Sequence, residues 1–67
     1  MMIKLTRFDG TKVTLNAELI VTIEETPDTI ISLTTGQKFV VKESEPEVVD
    51  KIISYRQQIT YINREIV

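Results

Sequence analysis

Apolar and polar residues alternate along most of the first two-thirds of the chain, which is the pattern of short, half-buried β-strands. Ile3 and Leu5 belong to the first such strand, and Val13 and Leu15 to the second, on the far side of a turn sequence at residues 8–10. A three-residue loop with glycine third predicts a type I turn closed by a left-handed residue. That register pairs Leu5 with Val13 and Ile3 with Leu15, so that all four side chains lie on one face.

A second strand pair is predicted on either side of the turn sequence at residues 26–28, which contains proline and aspartate. Only a loop with an odd number of residues sets Ile23 opposite Ile31 and Val21 opposite Leu33. An even loop would turn the apolar set of one strand to the other face of the sheet.

A fifth strand follows Gly36, which repeats the glycine turn of the first hairpin, and its residues Phe39 and Val41 return to the same apolar face. The five strands predict an antiparallel meander. The architecture expected is therefore a single α+β domain over residues 1–67, with a five-stranded antiparallel meander sheet at 1–43 followed by one long C-terminal helix at 44–67.

The helix is predicted to begin at Glu45, with Ser44 as its N-cap. Ser44 and Glu47 have capping-box spacing, in which each side chain bonds the backbone N–H of the other. Pro46 is tolerated in the first turn. No glycine or proline follows it, so we expect the helix to continue to about Arg64.

Apolar residues of this helix alternate at spacings of four and three, which is a heptad seam. The seam, which we predict to be an oligomer interface, consists of Val48, Ile52, Tyr55, Ile59, Ile62 and Ile66. About 20 helical residues rise roughly 30 Å, whereas strands of about five residues reach only ~17 Å. Val49, Ile52 and Ile53 can pack on the sheet, which leaves the later isoleucines without cover.

Burial in a homo-oligomer would cover those isoleucines, and the β-branched seam favours a trimer or tetramer over a dimer. The alternative is that the helix bends and its isoleucines cover the end of the domain.

Apolar residues also occur outside the inner face of the sheet, and these are possible partner contacts: Phe8, Ile20, Ile30 and Val40. Ile20, Ile30 and Val40, in the third to fifth strands, are offset by one residue from the core positions and are therefore predicted to point to the outer face of the sheet. Either a curved sheet covers this patch or another subunit does. Phe8 occupies a hairpin tip that does not need an aromatic residue, so it either folds back onto the core or contacts a partner.

Composition removes several kinds of site. Cysteine and histidine are both absent, which excludes disulfides and thiolate metal sites and removes the commonest general base. Adjacent Glu24 and Glu25 point to opposite faces of a strand, and capping explains Glu43 together with the other acidic residues at the helix start. We therefore expect no catalytic, cofactor-binding or metal site, and a protein that is not an enzyme.

Charge argues against nucleic acid as the partner, because eight Lys and Arg oppose ten Asp and Glu without a basic cluster. A small β-domain regulator that binds RNA is the alternative function. It would use the exposed cations Lys4, Arg7, Lys12, Lys38 and Lys42. No secretory signal and no transmembrane segment are expected, which favours a cytoplasmic protein.

A string of short motifs runs through the chain in a recognisable order. The motifs are Ile3-Lys4-Leu5-Thr6-Arg7, Asp9-Gly10, Leu15-Asn16, Leu19-Ile20, Ile23-Glu24, Pro27-Asp28-Thr29 and Gly36-x-Lys38-Phe39-Val40-Val41-Lys42-Glu43-Ser44. With the first seam residues they cover roughly residues 2–56, and they resemble the flagellar protein family FlbD, which includes the swarming motility protein SwrD. The resemblance implies a role in flagellar motor function and swarming, a motor or assembly component as partner, and a position at the flagellar base.

Overall fold

A computed structural model describes the backbone of residues 1–66 and the side chains of residues 1–57. The elements are β1 Met2–Thr6, β2 Lys12–Asn16, β3 Ile20–Glu25, β4 Thr29–Leu33, β5 Lys38–Val41 and the helix α1 Glu45–Ile66. A 3₁₀ turn at Ala17–Leu19 separates β2 from β3. These elements confirm the predicted α+β class.

The two glycine hairpins have the same turn, as their sequences predict. Gly10 and Gly36 have φ values of +93° and +89°, in the left-handed region. The N–H of Gly10 donates to the carbonyl of Arg7 at 2.9 Å, and that of Gly36 donates to the carbonyl of Leu33 at 3.0 Å. Glycine is favoured at both positions because a Cβ atom disfavours this backbone conformation.

Strand registers agree with the sequence at the centre of both strand pairs. Leu5 lies opposite Val13 in the β1–β2 pair, and Ile23 lies opposite Ile31 in the β3–β4 pair. Both registers keep the apolar residues of neighbouring strands on the core face.

A β-bulge near the start of β3 changes the pairing there. Leu33 lies opposite Ile20 rather than Val21, and the next pair is Thr22 with Ser32. The extra residue turns Ile20 inward, where it packs against the buried core, and leaves Val21 61% exposed. The assignment of Ile20 to the outer patch was therefore wrong, because the bulge reverses the face to which this residue points.

The strands form two sheets, β1–β2 and β3–β4–β5, so the single five-stranded meander was also wrong. The 3₁₀ turn redirects the chain between β2 and β3. Asn16 caps this turn by accepting the N–H of Glu18 at 3.1 Å, and the N–H of Ala17 donates to the carbonyl of Met1 at 2.8 Å. These bonds stabilise the change of direction.

The two sheets are instead joined through β1 and β5. Arg7 forms an antiparallel bridge with Val41, and the N–H of Lys42 donates to the carbonyl of Thr6 at 2.8 Å. The strand order across the domain is therefore β2–β1, then β5–β4–β3. The first hairpin and the last strand become neighbours, although they are far apart in sequence.

Glu43 reinforces this junction. Its carboxylate accepts the N–H of Thr6 at 2.9 and 3.0 Å and the Thr6 hydroxyl at 2.9 Å, while Lys12 donates to the same hydroxyl at 2.8 Å. Partial burial opposes ionisation, but the bonds from Thr6 and the charge of Lys12 lower the pKa of Glu43 below its ordinary value. Glu43 therefore joins the strands, which the capping explanation had missed.

The helix begins at Glu45 as predicted. Ser44 Oγ accepts the N–H of Glu47 at 3.3 Å, and the N–H of Ser44 donates back to Glu47 at 3.4 Å, which confirms the capping box. The N–H of Glu45 donates to the carboxylate of Glu25 at 2.7 Å and so ties the helix start to β3.

The first turns of the helix complete the hydrophobic core. The buried apolar residues are Ile3, Leu5, Leu15, Ala17, Ile31, Leu33, Val41 and Val48. Val48 is fully buried and Ile52 packs against the same cluster, whereas Ile53, which was expected to pack on the sheet, is 46% exposed. Because Val48 is fully buried within the domain, its side chain cannot contact another subunit in this fold, and it does not belong to an oligomer interface.

Candidate protein-contact surface

An apolar row crosses the outer face of the domain where the two sheets meet. Val40 lies opposite Ile30, and the N–H of Phe8 donates to the carbonyl of Val40 at 3.1 Å, next to the Arg7–Val41 bridge. Since Val41 points to the core, its neighbour Val40 and the residue opposite it point outward. We call Phe8, Val40 and Ile30 the outer row.

The outer row brings together three of the four residues singled out as possible partner contacts, and the bulge removes Ile20 from the set. Phe8 is 66% exposed and Val40 38% exposed, while Ile30 is half-buried. Of the two alternatives for Phe8, folding back onto the core does not occur in this structure. The junction of the sheets therefore presents an aromatic ring to solvent.

A shallow hollow with two cations lies on one side of Phe8, and we call it the basic hollow. It is lined by Arg7, Phe8, Asp9, Lys38, Phe39 and Val40. The guanidinium carbon of Arg7 lies 5.6 Å from the centroid of the Phe39 ring, which is a cation–π distance. The lining of the hollow therefore combines apolar side chains with two cationic ones.

Asp9 is the acidic residue of the basic hollow, and its carboxylate already has partners. It accepts the N–H of Thr11 at 3.0 Å and the Thr11 hydroxyl at 2.7 Å. These bonds lower the pKa of Asp9, with a smaller contribution from the charge of Arg7. Both bonds end on Oδ1, so this oxygen of the carboxylate is held by its own turn.

Phe8 also lines a second hollow, whose charge is different. The second hollow is lined by Phe8, Glu25, Pro27, Asp28, Thr29, Val41 and Lys42. Two carboxylates face one ammonium group there, and Glu25 is engaged by the backbone of the helix start. Phe8 thus stands between a basic and a more acidic surface.

The helical seam meets the sheets at a third hollow. It is lined by Met2, Ile3, Lys4, Asp50, Lys51, Ser54 and Tyr55. Tyr55 is half-buried and Met2 is 51% exposed. The side chains of Ile59, Ile62 and Ile66 lie outside the described residues, so the oligomer interface stays a prediction.

The cations of the RNA-binding alternative occur in several separate environments. Lys4 lines the hollow beside the helix, Lys38 lines the basic hollow, and Lys42 lines the more acidic one. Lys12 is bonded to Thr6, and Arg7 covers Phe39. The arrangement is unlike the continuous basic stripe that phosphate binding favours.

Within the part of the chain that the structure describes, no cluster of three or more acidic residues is arranged to hold a metal ion. The helix that the structure describes is not apolar enough along its length to cross a membrane.

Comparison with known protein families decides where the chain belongs. The family model FlbD, described as "Flagellar and Swarming motility proteins", matches residues 2–60. The chain is a member of the FlbD family. The match includes the five strands, the outer row and most of the helix, and membership associates the protein with flagellar and swarming motility. Searches of curated proteins and of solved structures found no match.

Proposed function

We propose that this FlbD-family protein is a non-enzymatic accessory protein of the flagellum, which supports motor function and swarming through protein–protein contacts and self-association. The observation that carries the proposal is the family match over residues 2–60, which spans the whole outer row. The protein would act in the cytoplasm at the flagellar base, on a motor or assembly component.

The outer row supports the contact part of this proposal. Full burial of an exposed Phe side chain contributes about 1.5–3 kcal/mol of stabilisation. Because most of the Phe8 side chain is exposed in the isolated domain, a partner that covers it would gain most of this free energy. Aromatic residues are enriched in protein interfaces. Phe8 is therefore the residue that we expect to anchor a partner.

The seam supports the self-association part. Val48 and Ile52 satisfy the domain's own core, so the interface would begin near Tyr55 and continue along Ile59, Ile62 and Ile66. A trimer or tetramer is the expected assembly. Size-exclusion chromatography with light scattering across a dilution series measures its mass directly.

Motility assays test the two parts separately. Deletion of the gene should reduce swarming, and the wild-type gene should restore it. A double variant with Ile59→Asp and Ile62→Asp should be monomeric and should fail to restore swarming, whereas Gln57→Asp, at an exposed position off the seam, should restore it. Full rescue by the folded monomer would refute self-association, and normal swarming of the deletion strain would refute the function.

A fluorescent fusion tests the location. We expect foci that coincide with a labelled basal-body protein, and a fusion that is functional but evenly spread through the cell would contradict a position at the flagellar base.

A further inference from the structure

The basic hollow and the outer row form one continuous surface, because Phe8 and Val40 belong to both. Arg7 and Lys38 contribute two positive charges to the lining of the hollow, and Asp9, whose Oδ1 accepts both bonds from Thr11, contributes one negative charge, so the net charge of the lining is positive. A ligand that fits this surface needs an apolar group beside negative charge.

We propose that this surface binds a short segment of the partner protein in which an apolar side chain is flanked by Asp or Glu, an inference that rests on the proposed function. The apolar side chain packs against the exposed ring of Phe8 and on Val40. A flanking carboxylate pairs with Lys38 and Arg7. Charge complementarity of this kind specifies the partner and its orientation.

A short segment fits the size of the surface better than a second copy of the domain. A standard interface buries about 800 Å² on each partner. The outer row consists of three side chains, of which Ile30 is already half-buried. A linear peptide can use such a small apolar row, because it needs only one or two anchor residues.

Nucleic acid fits this surface less well than an acidic peptide. Single-stranded binding sites stack successive bases on several aromatic rings. Among the described side chains Phe8 is the large exposed aromatic, since Phe39 is half-buried beneath Arg7.

Selection from a displayed library of random ten-residue peptides, with the intact protein as target, tests the inference. We expect enriched peptides to carry Asp or Glu next to Leu, Ile, Phe or Met. Their affinity should fall at least tenfold with Phe8→Ala and with Lys38→Glu. It should change less than twofold with the matched controls Val21→Ala and Lys4→Glu, which alter an exposed apolar residue and an exposed strand lysine outside the basic hollow.

Several outcomes would overturn the inference: no enriched peptide, enrichment of neutral or basic peptides, or binding that survives Phe8→Ala. Binding of a single-stranded RNA probe that weakens with salt and is lost in Lys38→Glu would reassign the surface to nucleic acid. Circular dichroism confirms that each variant is folded before binding is measured.

Motility separates failure of this surface from failure of the proposed function. If the deletion strain loses swarming but the Phe8→Ala and Lys38→Glu genes restore it fully, the function stands and the surface is wrong. If the deletion strain swarms normally, the function itself is wrong, whatever the peptides show.

Discussion

Replacement of Glu43 by glutamine should weaken the junction between the two sheets. In the wild-type protein the Glu43 carboxylate accepts the Thr6 N–H through both oxygens and accepts the Thr6 hydroxyl as well. Glutamine keeps the shape of the side chain but has one acceptor oxygen and no charge. The substitution therefore tests the charged hydrogen bonds and leaves packing nearly unchanged.

The magnitude follows from the number and kind of these bonds. Hydrogen bonds to a charged group contribute about 1.5–3 kcal/mol, whereas neutral ones contribute about 1 kcal/mol. Because Glu43 is partly exposed and glutamine retains one acceptor, we expect Glu43→Gln to lower the free energy of unfolding by about 1.5 kcal/mol at pH 7. With a urea slope of about 1 kcal/mol/M, the midpoint shifts by about 1.5 M.

The pH dependence gives a second test of the same bonds. The folded-state pKa of Glu43 lies below its unfolded value. Its contribution is therefore fully present above the unfolded pKa and is lost as the pH falls through the folded pKa. Urea unfolding followed by far-UV circular dichroism should show the full difference between wild type and Glu43→Gln at pH 7. The difference should be smaller at pH 3, which lies below the ordinary pKa of a glutamate.

The control is Glu18→Gln, which neutralises an exposed carboxylate in the 3₁₀ turn and should leave the midpoint almost unchanged. A Glu43→Gln midpoint equal to that of the wild type, or a difference that is the same at pH 7 and pH 3, would refute the reasoning.

Substitutions at three further positions test other parts of the fold by the same urea assay. Ser44→Ala removes the helix cap and should cost about 1 kcal/mol, while an unchanged midpoint would contradict a working capping box. Gly36→Ala should lower the free energy of unfolding by about 1 kcal/mol through backbone strain alone, since no atom lies within 4 Å of the added Cβ. Gly36→Asn should recover part of this loss, because asparagine tolerates the left-handed conformation better than alanine. A fully stable alanine variant would be inconsistent with the turn. Val48→Ala should lower the free energy of unfolding by about 2 kcal/mol. This loss should not depend on protein concentration, because Val48 belongs to the domain's own core. A loss that grows on dilution would instead indicate that Val48 lies in a subunit interface.

Features determined by neighbouring residues could be predicted from the sequence. The turns at Gly10 and Gly36, the Leu5–Val13 pairing and the Ser44–Glu47 cap all follow from rules that span a few residues. Turn chemistry, side-chain alternation and capping act locally, so tertiary packing did not override them.

Features determined by distant residues could not be predicted. Placing β5 beside β1 requires knowledge of where the chain turns after Asn16, whereas a meander follows only if consecutive strands are neighbours. The bulge at Val21 shifts the register by one residue without a glycine or proline to mark it. The bonds from Thr6 to Glu43 depend on the same junction, which is why Glu43 was explained by its nearest neighbours in sequence.

The candidate surface was predicted in part. Alternation along β4 and β5 correctly placed Ile30 and Val40 on the outer face. Phe8 could be identified as unusual at a hairpin tip, but its position opposite Val40 depends on the long-range bridge. The stacking of Arg7 on Phe39 needs the same adjacency, so Arg7 and Lys38 could be predicted as exposed cations but not as residues that line one hollow.

The bridge between Arg7 and Val41 also predicts an order of folding events. Each hairpin closes a short loop, whereas this bridge closes a loop of more than thirty residues, with an entropy cost of about 3 kcal/mol. The hairpins should therefore form before the sheets join, so that joining limits the folding rate. Contacts made after that step act mainly on the rate of unfolding. If the bonds between the Glu43 carboxylate and Thr6 form after this step, they slow unfolding and so lengthen the lifetime of the folded domain.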